Sequence, residues 1–178
     1  MKYLLILLAF NLLPQTDMRE IYRFTSQTKL NEWRIVNDGV MGGTSKSSLM
    51  LSDLGHGQFS GHVSLANNGG FASIQLNKII NLTDENNFIV LRIKGDGKAY
   101  EFRLKGDISQ PESYVRQFIT TGEWENIKLP ISDFYPQFFG RKLNRPNFNF
   151  KRIEQFSFLI ANKKEEDFRL LIDSIGLE

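Results

Sequence analysis

Apolar and polar residues alternate along much of this chain, which is the pattern of strands with one buried and one exposed face. The alternation is clearest over residues 58–65, where Phe59, Val63 and Leu65 share one face, and it recurs over residues 99–105. Residues 88–93 are apolar on both faces, as expected for a central strand. Further strands are predicted at residues 20–24, 33–37, 47–51, 71–76, 114–120, 125–129, 153–161 and 168–175.

About ten short strands separated by turn signals predict an all-β chain, either an antiparallel sandwich or a barrel. Helical turns are expected only at residues 26–33 and 131–134. The sequence from Gly95 to Lys98 places an Asp-Gly pair between two alternating runs. This pair favours a type I′ turn, so we predict a hairpin that joins the strands at residues 88–93 and 99–105.

The N-terminus differs in composition from the rest of the chain. Residues 3–13 are apolar except for Asn11, and they follow Lys2 and precede Pro14. This pattern is typical of a signal peptide and is too short for a spanning helix. We therefore expect residues 1–16 to be a signal peptide or a short membrane anchor, and residues 17–178 to form a single β-sandwich domain. An exported protein, periplasmic or membrane-associated, is expected, with a cytoplasmic location if the segment is not a signal.

The amino-acid composition of the chain excludes several classes of function. The 178 residues include no cysteine, which excludes disulfides, thiolate metal sites and cysteine nucleophiles. The 22 basic and 20 acidic residues nearly balance, so a nucleic-acid partner is not expected. The motifs of the common hydrolases, nucleotide-binding proteins and zinc enzymes are absent from the sequence, and His56 and His62 are interpreted as surface histidines. We therefore do not expect an enzyme.

Three features could carry chemistry. Residues 39–45 and 67–70 form two glycine-rich loops, which either present backbone amides to an anion or simply make tight turns. Asp38, Asp133 and Asp173 lie where strands end, and such carboxylates either cap turns or bind calcium. No cofactor is expected, with a calcium ion as the open alternative.

The third feature is a basic stretch without acidic residues between positions 134 and 153. Its cations alternate with aromatic residues, and such a mixture forms either a partner-binding surface or an ordinary solvated loop. Its members are Arg141, Lys142, Arg145, Lys151 and Arg152, with Phe138, Phe139, Phe148 and Phe150.

Several segments carry a resemblance to a known family. They are Trp33-Arg-Ile-Val-Asn-Asp-Gly-Val-Met-Gly-Gly-Thr-Ser45, Phe59-Ser-Gly-His-Val-Ser-Leu65, Asn68-Gly-Gly-Phe-Ala-Ser73, Gly95-Asp-Gly-Lys-Ala-Tyr-Glu-Phe-Arg-Leu104, Trp124-Glu-Asn-Ile-Lys-Leu-Pro130 and Asp133-Phe-Tyr-Pro-Gln-Phe-Phe-Gly-Arg141. In this order they resemble the complex I intermediate-associated protein family. The resemblance implies a galactose-binding-like jelly-roll β-sandwich. It also implies a non-catalytic role in which the domain binds assembly intermediates of NADH:ubiquinone oxidoreductase.

The leading hypothesis is therefore a non-enzymatic domain that assists assembly of a respiratory or membrane protein complex. It would bind a protein partner, such as a respiratory complex subunit, through loops at one rim of the sandwich. The candidate partner-binding residues are Asn37, Asp38, Met41, Ser45, Asn68, Phe71, Arg141 and Lys142. On this hypothesis the combined change Asp38→Ala and Arg141→Ala abolishes partner binding without unfolding the domain.

Two alternatives remain open from the sequence. The first is an exported carbohydrate-binding module, which would need exposed aromatic rings such as Trp33, Trp124 or Tyr135 to contact a sugar. The second is an enzyme that uses an oxygen-ligated metal together with Asp38. Membrane association through residues 1–16 is compatible with each of these functions.

Overall fold

A computed structural model describes residues 18–178, and the expected signal or anchor segment at residues 1–16 lies outside the described residues. The described residues form thirteen strands connected by loops and four short 3₁₀ turns. In chain order the strands are β1 (Arg19–Arg23), β2 (Trp33–Ile35), β3 (Lys46–Leu51), β4 (Gly57–Val63), β5 (Ala72–Asn81), β6 (Phe88–Lys94), β7 (Ala99–Lys105), β8 (Ser113–Ile119), β9 (Trp124–Pro130), β10 (Tyr135–Phe138), β11 (Arg141–Lys142), β12 (Arg152–Ile160) and β13 (Glu166–Leu177).

The strands form two antiparallel sheets that enclose one apolar core. The six-stranded sheet has the order β3-β4-β13-β6-β9, and β1 pairs with the last residues of β13. The seven-stranded sheet has the order β11-β10-β8-β7-β12-β5-β2. The predicted all-β sandwich is therefore confirmed.

The core follows from the alternation in the sequence. On β7, Tyr100, Phe102 and Leu104 are buried between the sheets, while Glu101 and the other outward residues are partly exposed. Trp33 packs against aromatic rings of both sheets, and its Nε1–H donates to the hydroxyl of Tyr22 at 2.9 Å. Most of the phenylalanines are core residues, as their strand propensity and large apolar area lead one to expect.

The hairpin predicted at Gly95–Lys98 is wrong. The two strands that flank it, β6 and β7, lie in different sheets, so the turn carries the chain across the sandwich. Gly97 has a φ of +81°, but Asp96 is not among the residues with positive φ, so the turn is not type I′. The Asp96 carboxylate instead accepts hydrogen bonds from Lys98, from the Tyr100 hydroxyl and from the backbone N–H of Arg169 on β13. These tertiary contacts override the local turn preference.

Some strand boundaries also differ from the prediction. The strand expected at residues 33–37 ends at Ile35, because Asp38–Met41 forms a 3₁₀ turn. Strands β10 and β11 are not among the predicted strands, and both begin within or next to the basic stretch. Short turns at Leu30–Glu32 and Ile131–Asp133 fall within the ranges predicted for helical turns. Within the described part of the chain, no helix has the length and apolar character needed to cross a membrane.

The strand directions define two ends of the seven-stranded sheet. We call the end at which β2 stops and β5 starts the glycine-loop end, because both glycine-rich loops lie there. The opposite end, where β10 turns back into β11, is called the hairpin end. The register places the start of β8 and the end of β5 at the hairpin end as well.

Candidate partner-binding loops

The two glycine-rich loops meet around one buried carboxylate. Asp38 belongs to the first loop and is only 1% exposed, and its carboxylate contacts both the rest of that loop and residues 64–71 of the second. Its Oδ1 accepts the N–H of Ser45 at 3.0 Å, and its Oδ2 accepts the N–H of Gly70 at 2.7 Å and that of Phe71 at 3.3 Å. Oδ2 also accepts the Ser45 hydroxyl, which in turn accepts the N–H of Ser64 at 2.9 Å. A single side chain therefore holds both loops in one arrangement.

The hydrogen bonds also keep this carboxylate ionised. Burial by itself raises the pKa of Asp38, but the donors from Ser45, Gly70 and Phe71 outweigh it, and the pKa lies below its ordinary value. A carboxylate whose oxygens are already occupied by four donors has little capacity left for a metal or a partner. Asp38 is therefore a positioning residue of the loops, and its direct contact with a partner stays a prediction.

Two glycines make this close packing possible. A side chain at Gly43 would collide with the Asp38 carboxyl group. A Cβ at Gly69 would lie 2.6 Å from Asp38 Oδ2 and 2.7 Å from the carbonyl oxygen of Ser64. Glycine is thus required at these two positions by the close approach of neighbouring atoms and not by a positive φ, which neither residue has.

The two loops that Asp38 holds together expose apolar side chains to solvent. Val40 is 71% exposed and Met41 is 57% exposed, and Leu65 on the second loop is also exposed. Val40 and Leu65 were not among the candidates, although an apolar Val-Met pair inside a glycine-rich loop is a signal that could have identified Val40. We define Val40, Met41 and Leu65 as the apolar crest.

Of the other candidates in these loops, Asn68 lies on the surface and Ser45 is buried in the Asp38 network. Phe71 is half-buried and contributes its N–H to Asp38. The side-chain oxygen of Asn37 accepts the Ser47 hydroxyl at 2.7 Å. The structure thus brings together six of the eight predicted partner-binding residues, but Met41 and Asn68 are the ones whose side chains lie open to solvent.

Arg141 and Lys142 do not join this site. They form β11 at the hairpin end and at the edge strand of the seven-stranded sheet, whereas β2, next to the glycine loops, is the opposite edge. The Nζ of Lys142 lies 4.9 Å from the centre of the Tyr135 ring. A single rim that contains both Asp38 and Arg141 is therefore excluded by the topology.

The three aspartates considered for calcium are separated and engaged elsewhere. Asp173 contacts Arg23 at 2.8 Å and His56 at 3.3 Å, and Asp133 lies 3.6 Å from Arg116. Among residues 18–178 no three His, Asp or Glu side chains come together as a metal-binding group. Calcium binding stays a prediction without a built site in this part of the chain.

The aromatic residues considered for sugar binding do not share a surface. Trp33 is buried in the core. Trp124 lies on the six-stranded sheet with Arg92 over its ring at 5.5 Å and the His56 ring 4.6 Å away. Tyr135, on the other sheet, is covered by Lys142. These rings therefore cannot form a common platform for a carbohydrate.

Two antiparallel β-sheets that pack around one apolar core define the class of jelly-roll β-sandwiches. Solved structures of this fold include the family 11 carbohydrate-binding module of the cellulase Lic26A-Cel5E from Clostridium thermocellum, with a TM-score of 0.65, 16% identity, and coverage of 90% of this chain and 94% of that one. The agarase AgWH50C has a TM-score of 0.60 and 13% identity, with 90% of this chain and 24% of that chain covered. These likenesses confirm the predicted jelly-roll fold.

The chain belongs to the family described as Complex I intermediate-associated protein 30, whose model matches residues 22–172. A relative from Caenorhabditis elegans, "Probable complex I intermediate-associated protein 30, mitochondrial", is 31% identical over 184 residues, which cover 90% of this chain and 54% of the relative. "Complex I intermediate-associated protein 30, mitochondrial" from Mus musculus is 23% identical over 186 residues, covering 89% of this chain and 56% of the relative. The resemblance found in the sequence is thereby confirmed, and the chain spans about half the length of these curated relatives.

The names of the relatives correct the expected location. Both are named as mitochondrial proteins, which contradicts export to the periplasm. The expectation rested on one lysine and an apolar run at residues 3–13, and a pattern this short does not specify a compartment.

Proposed function

We propose that this chain is a non-enzymatic binding domain that assists assembly of a respiratory complex by holding a protein intermediate, in mitochondria like its named relatives. Family membership supports the assembly role, because the relatives are named for association with complex I intermediates. The apolar crest is the proposed contact surface. A non-catalytic role is supported by the condition of Asp38, since the carboxylate that an enzyme would use is buried in hydrogen bonds to its own loops.

The observation that carries this proposal is the exposed apolar crest on a rigid base. Exposed apolar side chains cost solubility, and a loop that served only to connect two strands would gain nothing from them. Here the exposed residues Val40 and Met41 belong to a loop whose backbone is held by a hydrogen bond to the Asp38 carboxylate. Such preorganisation reduces the entropy that a partner must overcome on binding.

The test replaces apolar side chains of the crest and leaves the hydrogen bonds of Asp38 intact. In the full chain, Val40→Ser combined with Met41→Ser should lower the capture of assembly intermediates at least about tenfold, because fully burying each apolar side chain contributes about 1.5–3 kcal/mol. Capture is measured by crosslinking in mitochondria followed by mass spectrometry of the subunits recovered.

A matched control has the same kind of substitution at the other end of β3. Met50→Ser combined with Leu54→Ser also removes two exposed apolar side chains, and it should leave capture unchanged. Equal loss in both double variants, or undiminished capture by a folded Val40→Ser/Met41→Ser protein, would contradict the crest as the contact surface.

A further inference from the structure

The turn between β10 and β11 has an unusual residue at its tip. Phe138 pairs with Arg141, so Phe139 and Gly140 form a two-residue hairpin loop. Their φ angles are +46° and +72°, as a type I′ turn requires. Asn, Asp or Gly usually occupies the first of these positions, because a bulky residue is strained in the left-handed region.

The strained residue is also exposed. Phe139 is 70% exposed, and its ring contacts that of Phe138 with centroids 4.3 Å apart. Neither ring enters the apolar core. A residue that costs conformational energy and leaves most of its surface in solvent contributes little to the stability of the fold, so the aromatic pair at the tip calls for another explanation.

Cations follow immediately after the aromatic pair. Arg141 and Lys142 are exposed, and the guanidinium of Arg141 has no acidic partner among the described residues. Lys142 lies over the Tyr135 ring rather than beside a carboxylate. The chain between positions 134 and 153 contains no acidic residue, so the tip combines apolar rings with positive charge.

We propose that this tip, Phe138–Lys142, is a contact site for the interface of an anionic lipid bilayer. Aromatic rings insert at the boundary between headgroups and acyl chains, and neighbouring cations bind anionic headgroups. A stable protein interface buries about 800 Å² on each partner, which is more than one two-residue turn offers. A bilayer surface needs no complementary shape, so two rings and two cations can engage it reversibly.

Position supports this assignment. The tip lies at the hairpin end, away from the apolar crest, and Ile108 in the loop between β7 and β8 is a further exposed apolar residue at that end. Contact there would leave the glycine-loop end directed away from the membrane. The site is thus separate from the proposed partner surface.

The first test places a fluorescent reporter at the tip of the full chain. Phe139→Trp should show a blue-shifted emission component with vesicles of phosphatidylcholine and about 30% phosphatidylglycerol, and none with phosphatidylcholine alone. Ile119→Trp is the control, because Ile119 is likewise 70% exposed but lies at the glycine-loop end. Both variants carry the same N-terminus, so any contribution of residues 1–16 is shared.

Charge and strain are tested separately. Arg141→Glu combined with Lys142→Glu should weaken vesicle binding at least about tenfold. Phe139→Asn should weaken binding while leaving the unfolding midpoint equal or higher, because Asn tolerates the left-handed conformation. The proposal is overturned if Ile119→Trp shifts as much as Phe139→Trp, if no shift occurs, or if only a protein partner shifts the emission of the Phe139→Trp variant.

Discussion

At the scale of single residues, Asp38 determines the form of the candidate site through its hydrogen bonds to both glycine-rich loops. Three backbone N–H groups and one hydroxyl point at its carboxylate. If the carboxylate is removed, these buried and partly buried donors lose their acceptor. The loss of Asp38 therefore affects the shape of both loops and the stability of the whole domain.

We expect Asp38→Ala to lower the free energy of unfolding by about 3 kcal/mol or more, since an unsatisfied buried group costs about 1–3 kcal/mol and several are created. The variant suggested by the sequence, Asp38→Ala with Arg141→Ala, would therefore lose binding through instability. Urea unfolding at neutral pH measures the effect. Arg141→Ala alone is the control and should unfold like the natural chain, because the Arg141 side chain is exposed and has no ionic partner in the described part of the chain.

The Asp38 carboxylate should also make the free energy of unfolding depend on pH in acidic solution. Its folded pKa is depressed, so its contribution is complete above the ordinary value of 3.8 and is lost as the pH falls through the lower, folded value. Asp38→Asn removes this group, and the stability difference between it and the natural chain should shrink between about pH 5 and strongly acidic solution. A difference that stays constant over this range would show that ionisation of Asp38 does not contribute.

Sequence reasoning located this region but did not predict that its central residue, Asp38, holds the two loops together. The string of Asp, Gly and Met identified the loop, and Asn68 and Met41 are indeed on its surface. The burial of Asp38 depends on Gly70 and Phe71, which are more than thirty positions away in the chain. A contact at that separation leaves no periodic pattern, so it could not be predicted from local sequence.

At the scale of elements, the crossing at Gly95–Lys98 connects the two sheets. Asp96 receives hydrogen bonds from Tyr100 on the seven-stranded sheet and from Arg169 on the six-stranded sheet. Burial raises the pKa of Asp96, but the bonds from Lys98, Arg169 and Tyr100 outweigh it and hold the pKa below its ordinary value. The turn is therefore a joint between the layers of the sandwich.

We expect Asp96→Ala to destabilise the domain by about 1–3 kcal/mol, because it leaves a buried tyrosine hydroxyl and a backbone N–H without their acceptor. Thermal or urea unfolding provides the measurement. Asp84→Ala is a suitable comparison and should have no detectable effect, since among residues 18–178 Asp84 pairs only with the exposed Lys151. Equal stability of the two variants would mean that the Asp96 joint is not a structural requirement.

Strand identity was more predictable than strand pairing. Alternation identified β4 and β7 because one face of each is buried, and an apolar run identified β6. The partner of each strand is set by the core and by contacts such as that of Asp96, so the Asp-Gly pair suggested a hairpin that does not exist. Strands β10 and β11 were missed because the exposed Phe139 and the cations interrupt the alternation.

At the scale of the whole molecule, the proposed protein and lipid contacts lie at opposite ends. Strand β5 runs from one end to the other over 10 residues, a length of about 33 Å. Sites this far apart, with no shared contacts, behave independently.

We therefore expect the effects of the two sets of substitutions to be separable. Val40→Ser/Met41→Ser should leave vesicle binding unchanged, and Arg141→Glu/Lys142→Glu should leave protein capture from detergent-solubilised material unchanged. The quadruple variant should lose both. If either pair impairs both activities in a folded protein, the two ends are coupled and this separation of roles is wrong.

The position of β13 has a consequence for the synthesis of the protein. This strand lies between β4 and β6 and also holds β1, yet it comprises residues 166–177. The six-stranded sheet cannot close until the ribosome has released these residues. Until then, β4 and β6 in a nascent chain have unpaired edges where β13 will lie, and a premature stop before Glu166 yields a substrate for quality-control proteases instead of a partially active domain.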